Sequence, residues 1–190
     1  MDLVRHQYRF HHPSLTTALK LAKSCDRWRT GQMPDLPSWR SLGGRLVLLG
    51  DSAHAMFPDA AMGFSVIVED VAVLSYLLSA ERNLDVPQAT TVWQDVRQPR
   101  VNRIKAWACA NHYLYEQGHE TGANKRATEQ SAKVPSFEDV EPNRDADFMH
   151  PAFLKWAWGY DSIAEVSITL RSGQSIFANV LTGAEVHGRE

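Results

Sequence analysis

The sequence predicts a mainly helical chain built around one buried strand of the kind found in α/β sheets, and two stretches predict it. Residues 45–49, RLVLL, form an apolar-rich run that stops at Gly50. A strand covered on both faces reads as such a run, whereas a half-exposed strand alternates. From Gly63 to about Ala80, Phe64, Ile67, Val68, Val71, Leu74, Leu77 and Leu78 recur at helical spacing over a wide arc, and an arc that wide is expected to pack against a sheet.

The remaining elements follow from local chemistry. Residues 11–24, HHPSLTTALKLAKS, predict a short helix with Ser14 as N-cap and Leu15, Ala18, Leu19 and Ala22 on one side. Residues 33–44, MPDLPSWRSLGG, hold two prolines and two glycines and predict an irregular connection. After Pro87 a long helical arm is expected over residues 87–117, with Trp93, Val96, Ile104, Trp107, Ala108 and Leu114 recurring. Pro99 must kink that arm or open a new helix, and two segments packed as one long arm are expected. Residues 118–146 carry few apolar side chains and many charges, which predicts a mobile polar loop because burial does not offset ordering entropy there. Residues 147–190 form the tail, with a helix opening at Pro151 and a hairpin centred on Ser172 and Gly173.

Composition narrows the function classes. The chain has 190 residues, 44% hydrophobic and 22% charged, with a formal net charge of -2, so no large positive field favours nucleic acid. The longest apolar-rich stretch, residues 64–78, is interrupted by Ser65, Glu69, Asp70 and Ser75 and is too short to span a bilayer. Only Cys25 and Cys109 are present, with no C-x-x-C pair and no apolar leader after Met1, which predicts a reducing, cytoplasmic setting. His6, His11 and His12 are not accompanied by carboxylates or thiolates at ligand spacing, so no metal site is expected.

The Gly50-Asp51 step raises the functional question, because two chemistries place a carboxylate at the end of a strand. One is a serine hydrolase with Ser52 as nucleophile and Asp147 and His150 as the acid and base pair. That chemistry also needs separate oxyanion donors, and GAN at 122–124, followed by Lys125, is a poor match for the required block. The other is flavin binding. There a carboxylate holds the ribityl hydroxyls, a neighbouring glycine admits the cofactor, and the next helix turns its unpaired amides toward the ring. Asp51, Gly50 and the helix opening at Gly63, Phe64 and Ser65 occur in that order, with Pro58 between them.

The block GRLVLLGDSAHAMFPDAAMGFSVIVEDVAVLSYLL resembles the second flavin-binding motif of FAD-dependent aromatic monooxygenases, the salicylate hydroxylase-like group. Trp39 ahead of the strand, WQDVRQPRVNRI at 93–104 and WAWGYD at 156–161 resemble further elements of that group, the last in its fungal members. The resemblance implies the C-terminal part of a glutathione-reductase-like FAD-binding fold. Residues 1–117 would belong to the FAD-binding domain, with the second motif at 44–80. It implies that Asp51 holds the ribityl chain and Gly50 lies near the pyrophosphate. Pro58 would face the reactive side of the ring, and Gly63 with the amides of Phe64 and Ser65 the pyrimidine edge. Met62 stands where the group has Gln. No catalytic residue is assigned.

The implied activity is hydroxylation of a small aromatic substrate through a flavin hydroperoxide, with FAD as cofactor and NAD(P)H as reductant, in the setting of secondary metabolism. The chain carries no G-x-G-x-x-G turn between a strand and a helix. It is therefore expected to be a truncated form, or one piece of a split enzyme whose partner is a separate chain with that half. The alternative is a non-enzymatic remnant serving as an interaction module. His54 reads as a structural turn histidine, and Glu69 and Asp70 as acidic residues favoured early in a helix by its dipole. Arg97, Arg100 and Arg103 read as salt-bridge partners, and Trp107, Tyr113 and Tyr115 as packing residues.

Overall fold

The computed structural model describes residues 1–118 and 135–171, which fall into two compact units, Met1–Thr30 and Gly31–Glu190. The hairpin expected at Ser172 and Gly173 lies outside the described residues, apart from residues 166–171, which are helical.

In the first unit, α1 spans Asp2–Gln7 and α2 spans Pro13–Leu21, and neither buries a residue. The cap of α2 differs from expectation. His12 is the N-cap, its ring accepting from the Ser14 amide, and Pro13 occupies the first helical turn where a missing N–H costs nothing. Arg5 donates to the carbonyls of Leu19 at 3.0 Å and Ala22 at 2.9 Å. It thereby satisfies acceptors that the end of α2 leaves open.

The second unit is organised by two helices, α4 over Gly63–Leu77 and α5 over Val86–Gly118. The single turn α3, Asp51–His54, precedes them, and α6 at Pro151–Trp158 and α7 at Ser162–Arg171 follow. The start of α5 is a capping box, since the Gln88 amide donates to Asp85 Oδ1 at 2.8 Å and Asp85 N–H to Gln88 Oε1 at 3.0 Å. Pro99 lies inside this one continuous helix, where it removes the donor for the Asp95 carbonyl. From α5, Val92, Trp93, Val101, Ile104 and Ala108 are fully buried, and their spacing is that of one helical face. Val66, Val73 and Leu77 of α4, Trp39 and Phe153 join that core.

The expected buried strand differs most. No strand forms among the described residues, and residues 45–49 make one isolated antiparallel bridge, Val47 opposite Arg40. Ser41 N–H donates to the Leu46 carbonyl at 2.9 Å and Leu48 N–H to the Trp39 carbonyl at 2.7 Å. Nor is the run covered on both faces, since Leu46 is 67% exposed and Val47, Leu48 and Leu49 are half-buried. The physical reason is that a strand needs a partner long enough to exchange several ladder bonds, and the described residues supply only the short stretch around Arg40. Gly44 closes the turn before the run at φ +64°, where an added Cβ would meet Pro87 Cα at 2.8 Å.

Charge holds α4 to α5. Asp70 is fully buried and its carboxylate accepts from Arg97 Nε at 2.8 Å and from His54 Nε2 at 2.7 Å. Glu69 takes Arg97 Nη2 at 2.7 Å and Arg100 Nη2 at 3.0 Å. The Trp93 indole donates to the Asp70 carbonyl at 3.0 Å. Arg100 also reaches the Ala157 carbonyl of α6 at 2.7 Å, and its guanidinium lies 4.5 Å from the Trp156 ring and 4.1 Å from the Tyr160 ring. Burial raises the pKa of the Tyr160 hydroxyl, against the opposing pull of Arg97.

Two outcomes are expected in urea unfolding. Asp70→Ala leaves Arg97 and His54 short of a buried acceptor and lowers stability by roughly 3–5 kcal/mol; a loss below about 1 kcal/mol would show that the network does not hold the helices. Gly44→Ala meets both the unfavourable φ and the Pro87 backbone and costs about 1–3 kcal/mol.

Candidate functional site

The candidate site begins where the apolar run ends. Gly50 has φ +60° and ψ -140°, a conformation that is essentially restricted to glycine. Its carbonyl accepts from the amides of Ala53 and His54, both at 2.9 Å, and this closes α3. A Cβ on Gly50 would also lie 3.2 Å from Ile67 Cδ1 of α4. The turn is thus pressed against α4 at Gly50 and pinned to it again by the His54–Asp70 bond.

Asp51 is exposed at the first position of α3, and its carboxylate takes no hydrogen bond or ion pair from the described residues. The duty a turn aspartate would ordinarily perform, capping nearby amides, is performed by the Gly50 carbonyl instead. The turn therefore presents a free acceptor pair to solvent beside a backbone position with no side chain. Such an acceptor pair fits a polyol, whose hydroxyl groups donate to a carboxylate.

Pro58, which is exposed, opens a 3-10 turn, Pro58–Ala60, and its carbonyl accepts from the Ala61 amide at 2.8 Å. Ala61 is left-handed at φ +52°. The chain then enters α4 at Gly63 with no side-chain cap. The first backbone bond into this helix is donated by Val66 to the Met62 carbonyl at 3.0 Å. The amides of Gly63, Phe64 and Ser65 accordingly have no partner among the described residues, and the α4 dipole adds partial positive charge there. Phe64 is 79% exposed, and a Cβ on Gly63 would meet nothing within 4 Å. The side chain of Met62 is buried in the core, so it packs inward at the position where the resemblance expects a polar residue.

The hydrolase residues are not brought together. Ser52 Oγ donates to the Leu49 carbonyl at 2.7 Å, Asp147 Oδ1 accepts from the Met149 amide at 2.9 Å, and His150 Nδ1 accepts from the Ala152 amide at 3.1 Å as the N-cap of α6. Each is occupied by local backbone. His54 is the buried turn residue the sequence suggests. Glu69 and Asp70 differ from expectation, since they lie in the second turn of α4 and answer arginines of α5 rather than the helix dipole. Arg103 donates to the carbonyls of Arg144 and Ala146, both at 2.8 Å. Trp107 is buried, whereas Tyr113 and Tyr115 are 54% and 65% exposed, with Tyr113 lying edge-on to the His112 ring at 5.9 Å between centroids.

Sequence reasoning missed a second support for the Pro58 turn. Phe57 stacks on His112 of α5 with ring centroids 3.9 Å apart and planes at 9°. His112 Nδ1 donates to Asp59 Oδ2 at 3.1 Å, and Asn111 Nδ2 donates to the Asp59 carbonyl at 3.0 Å. These pairs are more than fifty positions apart, and no local pattern marks them.

No protein-family model matches the chain. The FAD-dependent monooxygenase OpS4 of Beauveria bassiana (strain ARSEF 2860) is 28% identical over 165 residues, 86% of this chain and 38% of that protein. The FAD-dependent monooxygenase ntnJ of Nectria sp is 26% identical over 171 residues, 88% of this chain and 38% of that protein. Among solved structures, FqzB superposes with a TM-score of 0.47 at 24% identity, covering 85% of this chain and 32% of that one. The chain thus spans about two-fifths of the length of the curated relatives it matches. Its homologues are FAD-dependent monooxygenases.

Proposed function

We propose that the chain is the part of an FAD-dependent monooxygenase that seats the ribityl chain and ring of the flavin. The observation that carries this reading is the unpartnered Asp51 carboxylate beside the glycine-only backbone of Gly50. Asp51 would accept from the ribityl hydroxyls, Gly50 would leave room for the pyrophosphate side, and Pro58 would border the ring. The free amides of Gly63, Phe64 and Ser65 would stabilise negative charge at its pyrimidine edge. When bound, FAD would supply oxygen activation after reduction by NAD(P)H, for hydroxylation of a small aromatic substrate. The chain's own share is orientation, charge stabilisation and exclusion of water.

In this reading the chain is the C-terminal part of a glutathione-reductase-like fold, and the G-x-G-x-x-G half comes from polypeptide beyond this sequence or from a separate chain. Exposed apolar side chains on and beside the motif support a missing neighbour. Phe64, Val68 and Val71 follow one another on the open side of α4, each at least 50% exposed, and Leu46 is 67% exposed. The same face favours the second reading, a non-enzymatic remnant that serves as an interaction module. Cys25 and Cys109 are both free thiols, in keeping with a reducing, cytoplasmic setting. No helix among the described residues is long and apolar enough to cross a membrane.

FAD titration, followed by flavin absorbance and fluorescence, tests the proposal with the chain alone and with a separate polypeptide carrying the G-x-G-x-x-G half added. Saturable uptake is expected, weakened at least about tenfold by Asp51→Ala because a charged hydrogen-bond acceptor is lost. Gly50→Ala is expected to weaken it as well, through backbone strain. Equal affinity in the parent and Asp51→Ala would refute the assignment, and a protein that stays colourless in both formats would leave the remnant reading.

A further inference from the structure

The end of α5 carries a device that the flavin motif itself does not contain. Two consecutive residues of that helix, Asn111 and His112, grip the turn that follows the motif's Gly-Asp step. Asn111 holds the Asp59 carbonyl and His112 the Asp59 carboxylate, while the imidazole face lies flat on Phe57. The bonded groups are only partly exposed, 21% for His112 and 19% for Asp59, so water competes weakly for these contacts. Pro58 sits between the two gripped residues. Its φ is set by its own ring, and its placement relative to the rest of the unit is therefore set by Phe57 and Asp59. Between Ala55 and Met62 the chain is also anchored by the buried side chains of Ala60 and Met62, and the grip adds the polar and stacking hold on Phe57 and Asp59 that flank Pro58.

We infer that Asn111 and His112 are positioning residues for the flavin ring, setting through Phe57 and Asp59 where Pro58 stands against it. The inference rests on the proposed function, in which the Pro58 turn borders FAD. It extends the site from the sequence motif to the last described turns of α5, more than fifty residues away. The two interactions fix different coordinates of the turn. The stack on Phe57 sets its tilt, and the bonds to Asp59 set its depth. His112 is assigned no contact with a reacting atom and acts on the flavin ring through the turn.

Hydrogen exchange on the full chain, with and without FAD, tests this in two independent arms. In the cofactor-free arm the reporter is the Ala61 amide, which donates to the Pro58 carbonyl within the gripped turn. His112→Ala and Asn111→Ala are expected to speed its exchange at least about tenfold, while the amides of Val66 and Val73 in α4 keep their parent protection. His112→Gln retains a donor for Asp59 without the flat ring and is expected to restore part of the protection. In the FAD arm, His112→Ala is expected to change the shape of the bound flavin's visible absorbance band and to shift its reduction potential. Unchanged Ala61 exchange would overturn the grip whatever FAD does. Faster exchange with an unaltered flavin spectrum and potential would overturn the positioning role. If the unsubstituted chain takes up no FAD alone or with a separate polypeptide carrying the G-x-G-x-x-G half, the proposed function falls and the positioning role falls with it; the exchange arm still reports separately on the grip.

Discussion

Everything described in the second unit depends on a buried carboxylate that is not allowed to go unpaired. Asp70 has no exposed surface and stands between His54 of the Gly-Asp turn and Arg97 of α5. An ionised carboxylate in such surroundings is tolerated only when its lone pairs are met by charge and hydrogen bonds. Meeting them forces three elements into one geometry: α3 through the imidazole, α4 through its own backbone, and α5 through the guanidinium. Glu69 and Arg100 extend the same constraint to α6. Apolar burial brings the helices together but is indifferent to small rotations, whereas the paired charges are not.

This constraint bears directly on the candidate site. The unusual backbone of Gly50 would relax if the turn after it were free, and His54, four residues on, is the anchor that prevents this. The Asp51 carboxylate, which has no partner among the described residues, is therefore held at a defined place by one with several partners at Asp70. The neighbouring pair of acids in α4 and the exposed acid of α3 serve opposite ends, the former structural and the latter available to a ligand. Opposite, the end of α5 steadies the Pro58 turn through Phe57 and Asp59. The loop between α3 and α4 is thus held on one side by the His54–Asp70 bond to α4 and on the other by Asn111 and His112 of α5.

Local sequence specified that α4 is a helix, the reach of α5, the helix opening at Pro151 and the order Gly50, Asp51, Pro58, Gly63. Those features are written in periodicity and in residues with restricted backbones, which act locally and so are legible in a single chain. It did not specify the buried face of α4: Phe64, Val68, Val71 and Leu78 of the expected arc are exposed, and Val66, Asp70, Val73 and Leu77 are buried. Tertiary structure alone decided that the run 45–49 forms only a bridge, because a strand is defined by neighbours. It also decided that Glu69 and Asp70 answer Arg97 and Arg100 rather than a helix dipole, that Asp51 is left free, and that His112 lies on Phe57. Each of these joins residues distant along the chain, and pairing in space leaves no periodic mark on either partner.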